Sequence, residues 1–93
     1  MRPVDAREIH IASCVAYVRT DRLPAVARAI EEGGLAEVPR RDEASGRLVL
    51  LIERDSSARV IEVIDAVRAL PGVLAVHLAY QHAEPESELE EPQ

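Results

Sequence analysis

Residues 60–82, VIEVIDAVRALPGVLAVHLAYQH, hold a helix, its stop and a strand without interruption, and they restrict the possible folds more than any other stretch of the chain. Val60, Ile61, Ile64 and Val67 recur at helical spacing as one apolar stripe, with Glu62, Asp65 and Arg68 on the opposite side. Such a stripe must be buried against something. Pro71 cannot continue a helical hydrogen-bond ladder and Gly72 accepts the left-handed dihedrals of a helix exit, so the helix stops there. In the strand that follows, Leu74, Val76, Leu78 and Tyr80 alternate with Ala75, His77, Ala79 and Gln81, which gives one bulky side and one small or polar side.

The upstream sequence supplies the partners. Residues 9–18, IHIASCVAYV, read as a strand with Ile11, Ser13, Val15 and Tyr17 on one face and Ala12, Cys14, Ala16 and Val18 on the other. Neither face is strongly polar, which places this strand in the centre of a sheet. Thr20 or Asp21 is expected to cap the next helix, Pro24 sits in its first turn, Leu23, Val26, Ala27 and Ile30 face the core, and Gly33 and Gly34 close it. Residues 35–40 form a short strand in which Pro39 demands an edge position. The polar turn DEASG leads into RLVLLIE, the most apolar strand, and Ser56 or Ser57 caps the second helix.

The order is strand, helix, strand, strand, helix, strand. A βαββαβ chain with one central hairpin predicts an α+β ferredoxin-like sandwich, a four-stranded antiparallel sheet in the order 4-1-3-2 with two helices on one face. Ninety-three residues make one domain, and 47% hydrophobic residues suffice for a core without a metal or a disulfide staple. Cys14 is the only cysteine, so no internal bridge forms, and its parity points it to the core, where a thiol is inert. No apolar run reaches the length of a membrane span and the N-terminus lacks the apolar segment of a secretory signal, so the chain is expected to stay in the cytoplasm without membrane insertion. Net charge is −6, but residues 83–93, AEPESELEEPQ, carry five glutamates and no base, which leaves −1 for the rest. The expected organisation is a folded domain over 1–82 and a disordered acidic tail over 83–93.

Parity gives the sheet a functional side. Leu48, Leu50 and Ile52 form the natural core set of the third strand, because the alternate set ends in Glu53, and Leu74, Val76 and Leu78 form that of the fourth. The helix-free face then shows Val49, Leu51 and Glu53 beside Ile11, Ser13, Val15 and Tyr17, flanked by Ala75, His77 and Ala79. An uncovered apolar patch of this kind marks an interaction site. The alternatives are a homodimer that pairs two such faces and a sheet face with no partner.

Catalytic and cofactor motifs do not accompany this face. His10, His77 and His82 lack metal-ligand spacing, no serine lies in Gly-x-Ser-x-Gly, and no glycine-rich loop precedes a helix, so neither metal, cofactor nor enzymatic activity is expected. RNA recognition on this fold needs aromatic residues on the central strands and positive charge around them. Val49 and Leu51 stand where the aromatics are needed, the chain has no Phe or Trp, and the tail repels phosphate, so nucleic acid is not an expected partner.

Several segments together resemble the NapD family: HIASCVAYV, ASGRLVLLIE, and VIDAVRALPGVLAVHLAYQH followed by an acidic tail. The sharpest correspondences are Ser45-Gly46 before an apolar strand, Val67-Arg68, the run Gly72-Val73-Leu74-Ala75-Val76, and Tyr80. The alanine-rich first strand and the proline in the first helix depart from the pattern. The resemblance implies a cytoplasmic assembly chaperone of periplasmic nitrate reductase, with a ferredoxin-like fold, which binds the twin-arginine signal peptide of the catalytic subunit and holds back export until the molybdenum cofactor is inserted. Such a peptide has a basic segment followed by an apolar one, and its receptor needs an apolar platform beside acidic groups. The expected peptide-binding residues are Ile11, Ser13, Val15, Tyr17, Val49, Leu51, Glu53 and His77, with Glu53 meeting an arginine. Both strand addition at an edge and a helix laid on the face are open to such a peptide, and the blunting of one edge by Pro39 favours the face. The protein is expected to be a monomer or weak homodimer. One rival is a dimeric small-molecule-binding regulatory module, which needs a glycine- or aspartate-rich turn after the first strand, and another is an acylphosphatase-type enzyme, which needs an arginine in a glycine-rich loop there; Arg19-Thr20-Asp21-Arg22 supplies arginines but no glycine.

Overall fold

In the computed structural model, which describes residues 8–85, the alternation in RLVLLIER decides which side of the sheet becomes the core. Leu48, Leu50 and Ile52 are completely buried, whereas Val49 and Leu51 are half-buried and Glu53 is exposed. Burying each of these large aliphatic side chains is worth about 2 kcal/mol of transfer free energy, so the register of this strand is strongly set.

The elements are β1 (Glu8–Val18), α1 (Leu23–Glu32), β2 (Glu37–Asp42), β3 (Arg47–Arg54), α2 (Ser57–Arg68) and β4 (Val73–Pro85). The four strands form one antiparallel sheet in the order β2-β3-β1-β4, which is the expected order, and the fold is the ferredoxin-like α+β sandwich. Both helices bury their apolar stripes on the same side. Leu23, Val26, Ala27 and Ile30 of α1 and Val60, Val63 and Val67 of α2 share one core with Ala12, Cys14, Ala16 and Val18 of β1. Small side chains at the centre of β1 leave the helices room to settle on the sheet.

The chain secures the end of β1 through two turns. The Val18 amide donates to the Gly46 carbonyl at 2.7 Å, and the Arg19 amide donates to the Gly72 carbonyl at 2.8 Å. Gly72 has φ 98°, and a Cβ there would lie 2.6 Å from Arg22 Cβ, so both backbone and space demand glycine. On the far side Arg54 donates to the carbonyls of Gly34 and Leu35, both at 2.8 Å, and ties the end of β3 to the exit of α1. Pro39 lies at an irregularity of edge strand β2, where two residues face one on β3.

Several local expectations need correction. Among the described residues no side chain caps α1: Thr20–Arg22 form a 3-10 turn, in which the Arg22 amide donates to the Arg19 carbonyl at 2.9 Å while the Asp21 carboxylate is taken by Arg19 at 2.9 Å. α2 is capped as expected, with Ser56 Oγ accepting from the Arg59 amide at 3.2 Å. Its core stripe uses Val63 in place of Ile61, which is 56% exposed. The largest departures are in β4. Leu74 and Leu78, expected in the core, are 68% and 50% exposed, and only Val76 of that set is buried. Among the described residues β4 is an edge strand with a neighbour on one side only, and Leu74 is the extra residue of an irregularity between the Val18–Val73 and Tyr17–Ala75 pairs. The strand also continues through Ala83, Glu84 and Pro85, three residues assigned to the tail by sequence; residues 86–93 lie outside the described residues.

Candidate functional site

The odd-numbered residues of β1 build the face opposite the helices, and strand pairing gives each a neighbour on either side. Val15 lies between Val49 and His77, Ser13 between Leu51 and Tyr80, Ile11 between Glu53 and His82, and Tyr17 between Arg47 and Ala75. Ile11, Ser13, Val15, Tyr17, Val49, Leu51, Glu53 and His77 therefore all share one surface, as their parity in the sequence predicts. None of them belongs to the core shared by the helices. The six on β1 and β3 other than Glu53 are half-buried, while Glu53 and His77 are exposed.

Sequence parity missed a second row. Cys14 pairs with Leu78 but Ser13 pairs with Tyr80, so Ala79 is an extra residue, a bulge that reverses the sidedness of everything after it. Tyr80, His82 and Glu84 consequently join the open face. Tyr80 and His82 rings are 5.1 Å apart, Tyr17 and His77 rings 5.3 Å apart, and His82 Nε2 lies 2.9 Å from Glu84 Oε2. The His82 Nδ1 atom is buried and has no hydrogen-bond partner among the described residues. Nothing in the alternation LAVHLAYQH marks Ala79 as the extra residue.

Charge surrounds the apolar strip unevenly. At the Tyr17 end, Arg40, Arg41, Asp42, Glu43 and Arg47 enclose a shallow depression of ≈ 660 Å³ floored by Val15 and Val49. Hydrogen bonds from the Ser45 hydroxyl and amide hold the Asp42 carboxyl below the usual carboxylate range. Arg41 is drawn to Glu31 of α1 at 3.6 Å. At the Ile11 end a smaller depression of ≈ 310 Å³ is lined by Glu31, Glu37, Leu51, Glu53 and Arg54, where the Arg54 guanidinium is engaged by backbone carbonyls. Chemically, this surface can bury aliphatic side chains on its strip and accept hydrogen bonds from a cation at the glutamates. No group of three potential metal ligands is gathered among the described residues. No helix among them is long and apolar enough to cross a membrane.

Fold and surface together define an open-faced ferredoxin-like domain, whose sheet has helices on one side and a charge-edged apolar strip on the other. The model of the NapD protein family matches residues 9–85. Chaperone NapD of Escherichia coli K12 is 31% identical over 78 residues, covering 84% of this chain and 90% of the relative. Chaperone NapD of Haemophilus influenzae is 25% identical over 76 residues, covering 82% of each. The solution structure of the E. coli Tat proofreading chaperone protein NapD superposes with a TM-score of 0.73 at 30% identity, covering 91% of this chain and 88% of that one. The chain belongs to the NapD family, whose members named here are chaperones.

Proposed function

We propose that the protein is a binding chaperone without catalytic activity that works in the cytoplasm, where it takes the twin-arginine signal peptide of the periplasmic nitrate reductase catalytic subunit on its open sheet face and delays export until cofactor insertion. The observation that carries this reading is the apolar strip of Ile11, Val15, Val49 and Leu51 on the side of the sheet that the helices leave free, with Glu53 directly opposite Ile11. A leader with a basic and an apolar segment is complementary to that combination. Membership of a chaperone family supports it, as does the description of the E. coli relative as a Tat proofreading chaperone. Tyr80 and His82 extend the proposed contact surface beyond the eight residues expected from sequence. Calorimetric titration with the leader of a nitrate reductase from the same genome, against a scrambled peptide of equal charge, tests the proposal. Heat of binding for the native order alone supports it, and equal binding of both peptides refutes it.

A further inference from the structure

We infer that the open face is polar along its length and accepts the peptide in one direction, with the basic N-terminal segment over the Ile11 end and the apolar segment running toward Tyr17. This inference rests on the function proposed above. Strand register places the charges. Glu53 lies opposite Ile11, Glu37 opposite Leu51 and Glu84 opposite Ile9, so three carboxylates stand at one end, Glu84 being engaged by His82. At the other end Arg47 lies opposite Tyr17 and Arg40 opposite Val49, with Asp42 paired to Arg47 across the hairpin. Neither end alone defines a site; the direction follows from their opposite signs across a shared apolar strip.

Length agrees with this arrangement. From Ile11 to Tyr17 a strand advances roughly 20 Å at about 3.4 Å per residue. A helix rising 1.5 Å per residue spans that distance in about 13 residues, so a peptide helix laid along β1 reaches both charged ends. Its own backbone reinforces the direction, because the N-terminus of a helix carries partial positive charge and the C-terminus partial negative charge. In the assigned direction the basic side chains and the positive helix end both meet Glu37 and Glu53, while the negative helix end meets Arg40 and Arg47. Reversal places arginine against arginine.

The test uses the full chain with a synthetic twin-arginine leader carrying a nitroxide label at either its N- or its C-terminus, and reads paramagnetic broadening of backbone amides. The N-terminal label is expected to broaden Ile11, Leu51 and His82, and the C-terminal label Tyr17, Arg47 and Ala75. The reversed pattern, or equal broadening of both ends by each label, overturns the polarity and leaves the proposed function standing. No broadening from either label overturns both. A variant carrying Glu37→Arg, Glu53→Arg, Arg40→Glu and Arg47→Glu is expected to exchange the two patterns at low salt. An unchanged pattern in that variant, with native chemical shifts for the core residues, rules out these charges as the cause.

Discussion

Cys14 of β1 and Leu50 of β3 stand directly opposite each other at the centre of the sheet, and neither exposes any surface. Burial pushes the Cys14 thiol pKa up, against a smaller opposing influence of Arg68. A thiol reagent is therefore expected to modify Cys14 only when the protein opens, at a rate that rises with denaturant. Rapid stoichiometric labelling of the native protein would reverse the sidedness of β1.

The same burial has a pH consequence. The folded state disfavours the thiolate, so the unfolded chain loses its proton first as pH rises. Stability is unaffected by this group below the ordinary thiol pKa of about 8.5, and declines above it. Urea titrations of the parent and Cys14→Ala between pH 7 and roughly 10 should converge or cross with rising pH, the parent losing more stability.

Leu50 and its chain neighbours Val49 and Leu51 make opposite predictions. Leu50→Asp puts an unpaired carboxylate into the core and is expected to unfold the domain, as circular dichroism would show. Val49→Asp and Leu51→Asp should fold, yet weaken the leader peptide by about 2 kcal/mol or more, nearly thirtyfold in Kd by calorimetry. If both bind like the parent, the open face is not the peptide site.

Gly72 and Gly34 separate strain from collision. Both have positive φ, but a Cβ at Gly34 meets nothing within 4 Å whereas one at Gly72 strikes Arg22. Gly72→Ala is expected to cost about 1–3 kcal/mol, lowering Tm by roughly 4–8 °C for each kcal/mol. Gly34→Ala should lower it less, and thermal melts of the two variants compare them directly.

Ser56→Ala removes the acceptor of the Arg59 amide and should cost about 1 kcal/mol, while Ser57→Ala, inside the first turn, should leave the melt nearly unchanged. Equal losses in the two variants would show that the cap contributes nothing.

Sequence reasoning reached the architecture because the strongest signals were local and mutually consistent. Glu53 at the end of RLVLLIE set the sidedness of β3, Pro39 assigned β2 to an edge, and Pro71-Gly72 separated α2 from β4. The eight expected face residues followed from the same alternation. What escaped depends on tertiary circumstance. An edge strand leaves Leu74 and Leu78 open to solvent although their hydrophobicity suits a core, and the 3-10 turn over Thr20–Arg22 puts Arg22, not Thr20 or Asp21, at the N-cap of α1. Tyr80 was placed on the wrong side because period-two reasoning presumes uninterrupted pairing.

The extra residue at Ala79 makes β4 a strand with a reading frame. Before it, Ala75 and His77 present themselves to the open face; after it, Tyr80, His82 and Glu84 do. Loss of Ala79 would join Leu78 to Tyr80 in unbroken alternation and leave Tyr80, His82 and Glu84 on the open face, whereas uninterrupted pairing that kept Ala79 would turn the last aromatic, its histidine and its carboxylate toward the helices, much as a frameshift preserves letters and changes every word downstream. In β4, then, the point at which pairing slips carries as much information as residue identity.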